Sequence, residues 1–573
     1  MPLKLTQGAV TVLERRYLDR DSSGRLREDP AGMLRRVAAN IAAAEALYDP
    51  DMVAKCEAGF YRMMSSLEFL PNSPTLMNAG RRLQQLAACF VLPVEDSLAS
   101  IFEAVKQTAI IHQSGGGTGF SFSSLRPEGD IVGSTGGVAS GPVSFMRVFN
   151  AATEAIKQGG CRRGANMGVL RVDHPDIEAF VTAKEAPGEL GNFNISVAVT
   201  DAFMEAVERD ADYALVNPRT GEETGRRRAR GIFRLIVESA RSGGEPGVLF
   251  IDRINAANPT PRTGPFEAVN PCGEQPLLPY EPCNLGSINL SRMLTRDGGR
   301  RAIDFDRLGE RVKDGVRFLD DVIDACRYPS AEIDAMAKSN RKIGLGVMGF
   351  ADMLVRLRVP YASEKGLEVG ERVMKFINET ARYESARLAE EKGPFPNIKG
   401  SVYDLPGVRP PRNATVTTVA PTGTLSLIAA CSSGIEPIYS LSYTRNVLGG
   451  VRIAELSPLV EEIAREDGFY SASLIEFVAK GGDIRERKDV PQEAREVLAC
   501  AFDISPEAHV RMQAAFQRHT DNAVSKTINL PPGATADDVA AAYKLAYGLG
   551  CKGVTVYRSG SRDAQVLACA GPL

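Results

Sequence analysis

Short β-branched runs alternate along this chain with helical segments that carry a single apolar stripe, and that alternation restricts it to an α/β architecture. Gly247-Val248-Leu249-Phe250-Ile251 and Thr415-Val416-Thr417-Thr418-Val419 are two of the predicted strands. Between Asp304 and Cys326 the residues Leu308, Val312, Val316, Leu319, Ile323 and Cys326 step by three or four, which predicts a long amphipathic helix with Cys326 on its buried side. The first part, to about residue 65, reads helical: Met33, Val37, Ile41 and Ala44 repeat at helical spacing, as do Met52, Cys56, Phe60 and Met63. Near the end a helix is expected from a Thr535 cap to Tyr547, followed by the strand Gly553-Val554-Thr555-Val556-Tyr557.

At 573 residues the chain exceeds one ordinary core and has room for a large buried site. Its 68 basic and 71 acidic residues nearly cancel, and no basic tract extends much beyond Arg226-Arg227-Arg228-Ala229-Arg230, which argues against nucleic acid as a partner. No run approaches the ~18 apolar residues of a membrane span, and Met1-Pro2-Leu3-Lys4-Leu5-Thr6 lacks the apolar core of a signal peptide. A cytoplasmic protein is expected, with its ten cysteines mostly reduced thiols rather than a disulfide scaffold. There is no Cys-x-x-Cys or His-x-x-x-His, and the four histidines are scattered, so no metal site is expected. His174 reads as a helix-entry residue, in a helix starting near Asp173-His174-Pro175 with Asp173 as its cap.

The chemistry is expected around Asn270-Pro271-Cys272-Gly273-Glu274 and Tyr280-Glu281-Pro282-Cys283-Asn284-Leu285-Gly286. Pro and Gly predict irregular loop there, which would present a thiol, an amide and a carboxyl at alternate positions. Neither cysteine sits on an apolar stripe, so redox or hydrogen-atom chemistry is favoured over simple burial. Ala420-Pro421-Thr422-Gly423-Thr424-Leu425-Ser426 lies between a β-branched strand and an apolar helix, and reads either as an anion site at a helix start or as an ordinary turn. The run Gly115-Gly116-Gly117-Thr118-Gly119 signals close backbone approach and lacks the full dinucleotide fingerprint. Walker, Gly-x-Ser-x-Gly and His-Glu-x-x-His patterns are missing.

Taken together, Phe69-Leu70-Pro71-Asn72-Ser73-Pro74-Thr75-Leu76, Cys89-Phe90-Val91-Leu92-Pro93-Val94, Gly116 to Phe120, Asn270 to Glu274, the Pro421 turn and Gly550-Cys551-Lys552-Gly553-Val554-Thr555-Val556-Tyr557-Arg558 closely resemble the catalytic chain of ribonucleotide reductases. The resemblance runs from about Ala9 to Arg562. The Cys161-Arg162-Arg163-Gly164-Ala165-Asn166 loop and the Asp173 to Asp176 region are similar to the adenosylcobalamin-dependent class II enzymes. A class I-like subunit needing a separate radical-generating partner, and a non-catalytic nucleotide-binding regulatory homologue, are the alternatives.

The resemblance implies a ten-stranded α/β barrel of two antiparallel halves, each a five-stranded parallel sheet, with the Cys272 loop threaded through its centre. It implies a helical segment over 1–68, the barrel over 69–533 and a C-terminal segment over 534–573. Carried over, Cys272 matches the thiyl-radical cysteine, Glu274 the general base, Asn270 the residue that positions the sugar, and Cys89 with Cys283 the pair that ends as a disulfide. Ser73, Ala88, Gly117 and the turn Pro421, Thr422, Gly423, Thr424, Leu425 match substrate contacts, and Asp96 with Arg126 matches a dNTP effector site. Adenosylcobalamin is the implied cofactor, and ribonucleoside diphosphates the expected form of the substrate. A homodimer and an external thiol reductant such as thioredoxin or glutaredoxin are the implied partners. The N-terminus is expected to be too short for an ATP-cone domain. Only Cys569 stands where the family carries a cysteine pair in its tail, so thioredoxin is expected to re-reduce this chain poorly.

Overall fold

A computed structural model describes residues 3–133, 136–157, 164–186, 188–447, 451–561 and 567–569. Ten extended segments form the barrel: β1 (Cys89–Val91), β2 (Gly117–Ser121), β3 (Asn166–Arg171), β4 (Phe193–Val199), β5 (Gly247–Phe250), β6 (Pro282–Asn289), β7 (Ile343–Met348), β8 (415–419), β9 (Thr527–Leu530) and β10 (Gly553–Arg558). The first five pair in parallel in chain order. In the second half β6 pairs with β7 and β9 with β10, again in parallel. Segment β8 bridges them through the parallel contacts Leu345 to Thr417 and Val419 to Val524. The halves meet antiparallel at two seams, Cys283 against Cys89 and Val248 against Val554, so the sheet closes on itself. The barrel thus includes β10, beyond residue 533.

Strand β8 is extended yet short of a regular ladder because Asp521 intrudes on it: the Val416 amide donates to the Asp521 carboxylate at 2.8 Å, where a ladder would offer a carbonyl. The Cys283 stretch, expected as irregular loop, is instead an eight-residue strand, buried at every position. Pro282 is tolerated because it stands at the first residue, where the lost N–H costs little. The helix expected from Asp173 begins later, at Ile177 after Asp176. Asp173 pairs with Arg171 at 2.6 Å rather than capping, and the His174 ring donates from Nε2 to the Leu125 carbonyl while its Nδ1 accepts from the Asp176 amide.

The N-terminal helices α1 (Gln7–Arg16), α2 (Pro30–Ala42) and α3 (Met52–Ser65) are capped by Thr6 on the first and Asp29 on the second. Met33, Val37, Ile41, Phe60 and Met63 of α2 and α3 pack into one core with the long helix α4 (Phe305–Ala325) on the outside of the second half. Charge also ties these layers. Buried Glu45 accepts from Arg317 of α4 at 2.7 Å and from Lys392 at 3.0 Å, and Lys392 reaches Asp321 at 2.5 Å.

Candidate active site

A hairpin projects into the barrel. Ala268–Val269 pairs with Pro276–Leu277, and residues 270–275 form its tip. Asn270 closes that tip on itself: its amide N donates to the Gln275 carbonyl at 3.1 Å, its side-chain oxygen accepts from the Gln275 amide at 3.0 Å, and its carbonyl accepts from Gly273, whose φ is +81°. Both barrel halves hold the finger. Asn194 of β4 donates to the Pro271 carbonyl at 2.8 Å, while the Thr418 hydroxyl of β8 and the Ala523 amide each donate to the Glu274 carbonyl at 2.9 Å.

Glycines make room for it. A Cβ on Gly119 of β2 would lie 1.8 Å from the Val269 carbonyl oxygen, and one on Gly344 of β7 would lie 2.6 Å from the Gln275 amide nitrogen. The close approach read from the glycine run is therefore an approach to this finger.

Three cysteines converge there. Cys272 at the tip is exposed, whereas Cys89 and Cys283 are buried and face each other across the β1–β6 seam. The Asn270 side-chain amide donates to the Cys89 sulfur at 3.1 Å, linking finger to seam. Glu274, two residues beyond Cys272, is 2% exposed. Burial pushes the Cys89 thiol well above its ordinary range, with the Glu274 carboxylate and the neighbouring Cys283 and Cys272 adding to the effect and the Asn270 amide opposing it. Burial likewise raises Cys283, against Lys342 and together with Glu281 and Glu274. Both sulfurs are accordingly protonated at neutral pH and can deliver protons as well as electrons.

Two of the predicted substrate contacts, Ala88 and Gly117, lie beside this cluster. Ala88 and Ala420 pack in the same apolar group as Cys89 and Cys283, and Gly117 lies against the Pro271 ring. After Ala420 the chain turns through Pro421 and Thr422, which has a φ of +53°, into the helix α5 (Gly423–Ala429), which also carries Thr424 and Leu425. The Thr422 hydroxyl accepts from the Gly434 amide at 2.7 Å, and no side chain caps α5. Ser73 starts a short helix after Asn72, whose amide donates to Leu285 of β6, and its hydroxyl is 2.8 Å from that of Tyr17. Asp96 and Arg126 form an ion pair at 2.8 Å beside the start of the helix Leu98–Gln113. Cys161 and the Cys569 side chain lie outside the described residues.

Sequence reasoning missed Tyr17, Asn194, Thr418, Glu281 and Lys342. The available signal was a polar side chain inside an otherwise apolar strand, as at Thr418, or charged residues flanking a cysteine strand. Lys342 donates to Glu281 at 2.7 Å with both side chains at most 1% exposed. Among the described residues no cluster of three or more His, Cys, Asp or Glu could hold a metal ion, and no helix is long and apolar enough to cross a membrane.

Comparison with known proteins agrees with this geometry. The family description "Ribonucleotide reductase, barrel domain" matches residues 87–406 and 407–557, and "Ribonucleotide reductase, all-alpha domain" matches 3–84. The chain is 50% identical to the vitamin B12-dependent ribonucleoside-diphosphate reductase of Thermoplasma acidophilum, over 99% of this chain and 80% of that protein. It is 52% identical to the protein of the same name from Mycobacterium tuberculosis, over 100% and 82%. Among solved structures, the class Id ribonucleotide reductase alpha subunit of Actinobacillus ureae shares the fold, with a TM-score of 0.78 at 22% identity over 97% of each chain.

Proposed function

This chain belongs to the ribonucleotide reductase family, and from that premise we propose that it reduces ribonucleotides to 2′-deoxyribonucleotides, with ribonucleoside diphosphates, for which its relatives are named, as substrates. The observation that carries the reading is the exposed thiol of Cys272 on a finger above two buried thiols that face each other, with Asn270 bonded to one of them.

The cofactor is adenosylcobalamin, in keeping with relatives named as vitamin B12-dependent. The finger tip fits such a group: Cys272 is exposed, and a Cβ built on Gly273 meets nothing within 4 Å. Cys272 and Gly273 would hold the group, which would supply the one-electron oxidation that no closed-shell side chain can perform.

The protein does the rest. Cys272, as a thiyl radical, takes the 3′ hydrogen of the ribose, a feasible and reversible transfer because S–H and activated C–H bonds are close in strength. Glu274 accepts the 3′-hydroxyl proton while the 2′-hydroxyl, protonated from the cysteine pair, leaves as water, and Asn270 holds the sugar in place. Cys89 and Cys283 give up two electrons and close a disulfide, and Cys272 returns the hydrogen to C3′. In sum, ribonucleotide and dithiol become deoxyribonucleotide, disulfide and water. The uncapped start of α5 at Pro421 to Leu425 receives the phosphates, and Ser73, Ala88 and Gly117 line the nucleotide.

We further propose a homodimer, supported by Leu98, Phe102 and Ile110, exposed by 64%, 53% and 40% on one side of the helix that starts beside Asp96 and Arg126. A dNTP effector is assigned to that same region, a thioredoxin- or glutaredoxin-type thiol protein to re-reduction, and the cytoplasm, where thiols stay reduced, to the whole. Anaerobic assay of CDP and CTP with adenosylcobalamin and dithiothreitol tests the reading: formation of dCDP is expected, and formation of neither deoxynucleotide refutes it.

A further inference from the structure

The N-terminal helical segment touches the substrate site at two points that the chemistry above leaves unassigned. Val12 and Leu13 of α1 lie in one core with Leu425 and Ile428 of α5, the helix assigned to the phosphates, and the two helices pack together. Just beyond α1, Tyr17 is 1% exposed, and its hydroxyl stands 2.8 Å from that of Ser73. The short helix Ser73–Asn78 brackets this tyrosine. Its first residue meets the Tyr17 hydroxyl, while Arg81, three residues past its end, donates to the Tyr17 carbonyl at 2.7 Å and to Glu28 at 2.9 Å. The Tyr17 amide donates to the Leu13 carbonyl at 2.8 Å, so backbone and ring tip are both held in place.

The fold does not use the Ser73 hydroxyl as a cap. Asn72 has that role, accepting from the amide and the hydroxyl of Thr75 at 3.0 Å each. Ser73 is half-buried, in contrast to the enclosed tyrosine. A phenol, which ionises near pH ~10, is a stronger hydrogen-bond donor than an aliphatic alcohol, so the Tyr17 O–H donates and Ser73 Oγ accepts. A hydroxyl that accepts in this way is polarised and donates its own proton more strongly. We propose that Tyr17 is a positioning residue for substrate: by donating to Ser73 Oγ it turns the Ser73 proton toward an acceptor oxygen of the bound nucleotide. The proposal rests on the reading of Ser73 as a substrate contact. It makes the N-terminal segment part of the site, through Tyr17 at Ser73 and through α1 behind α5.

The test uses the full chain, comparing the unsubstituted protein with Y17F, S73A and the double variant. CDP affinity is measured by equilibrium dialysis, and kcat and KM with adenosylcobalamin and dithiothreitol. Y17F keeps the ring and removes only the hydroxyl; it is expected to weaken CDP binding about three- to tenfold, the worth of one hydrogen bond. KM should rise by the same factor with kcat moving less than about twofold, as for an interaction made equally in ground and transition states. In the S73A background Y17F should weaken CDP no further, because the two hydroxyls act as one unit. CDP affinity unchanged in Y17F, or weakened equally with and without Ser73, overturns the proposal. If S73A itself leaves CDP affinity unchanged, Ser73 is not a substrate contact, and the positioning role falls with that reading. The dialysis arm stands whether or not dCDP forms, which separates a failure of this inference from a failure of the reductase reading.

Discussion

Cys272 and Glu274 are two residues apart on one loop, yet the fold gives them opposite surroundings, the thiol exposed and the carboxyl 2% exposed. That contrast suits a thiol reached from outside and a base kept dry beside the substrate. Cys272→Ser should abolish turnover while nucleotide still binds, because an O–H bond is too strong to pass the radical on; equilibrium dialysis beside the reduction assay checks both halves. Glu274→Gln should keep affinity and lower kcat by about a hundredfold or more, since the amide cannot accept the 3′-hydroxyl proton. An unchanged kcat would make Glu274 a structural residue. At this scale the sequence marked the Asn270 to Glu274 loop, because a thiol, an amide and a carboxyl among Pro and Gly have little structural use. Lys342 and Glu281 were not readable, since nothing local marks an ion pair that only the β6–β7 register brings beside a cysteine.

Among elements, the finger and the two glycine-bearing strands around it carry the most consequence. The carbonyl of Val269 occupies the space a Cβ on Gly119 would need, and backbone cannot step aside as a side-chain tip can. Gly119→Ala should therefore displace the finger, with turnover falling much further than the fraction of folded protein; activity near the unsubstituted level would show that the finger has another way through. The long helix α4 was legible from its apolar stripe, because local periodicity decides a helix of this length. The β6 strand was misread as loop, since its Pro, Asn and Gly residues disfavour strand locally and only pairing on both sides outweighs them.

For the whole molecule, two buried histidines make stability depend on pH. Burial pushes His112 down to about 4, against a hydrogen bond to the Ala165 backbone carbonyl, and burial with Lys526 pushes His509 down to about 3. The unfolded chain binds protons at these imidazoles below about 6.5 and the folded chain refuses them until about 4 and about 3, so the unfolded state holds more protons across that window. Stability should thus be full above pH ~6.5 and fall as the pH drops toward 4, by up to ~1.4 kcal/mol per unit for each histidine. Denaturant titrations from pH 7 to 5 check it, and His112→Asn should flatten the slope. A charged pair, Leu98→Glu with Phe102→Glu, should shift the sedimenting species to monomer if that exposed stripe joins two copies. No shift from dimer would place the interface elsewhere.

What the sequence determined by itself was the kind of chemistry and the class of fold. Helical periodicity, β-branched runs and reactive residues held by Pro and Gly are local properties, legible wherever a few neighbouring side chains decide the outcome. The tertiary structure alone decided which thiols meet. Cys89 and Cys283 stand almost two hundred positions apart and come together because an antiparallel seam pairs β1 with β6, a contact whose register depends on the closure of all ten strands. The same closure carries Asn194, Thr418 and Ala523 to the finger from three separate strands or their flanks, and sets the Lys342 carbonyl beside Cys283. Closure is a property of the whole barrel, and no short stretch of chain encodes it.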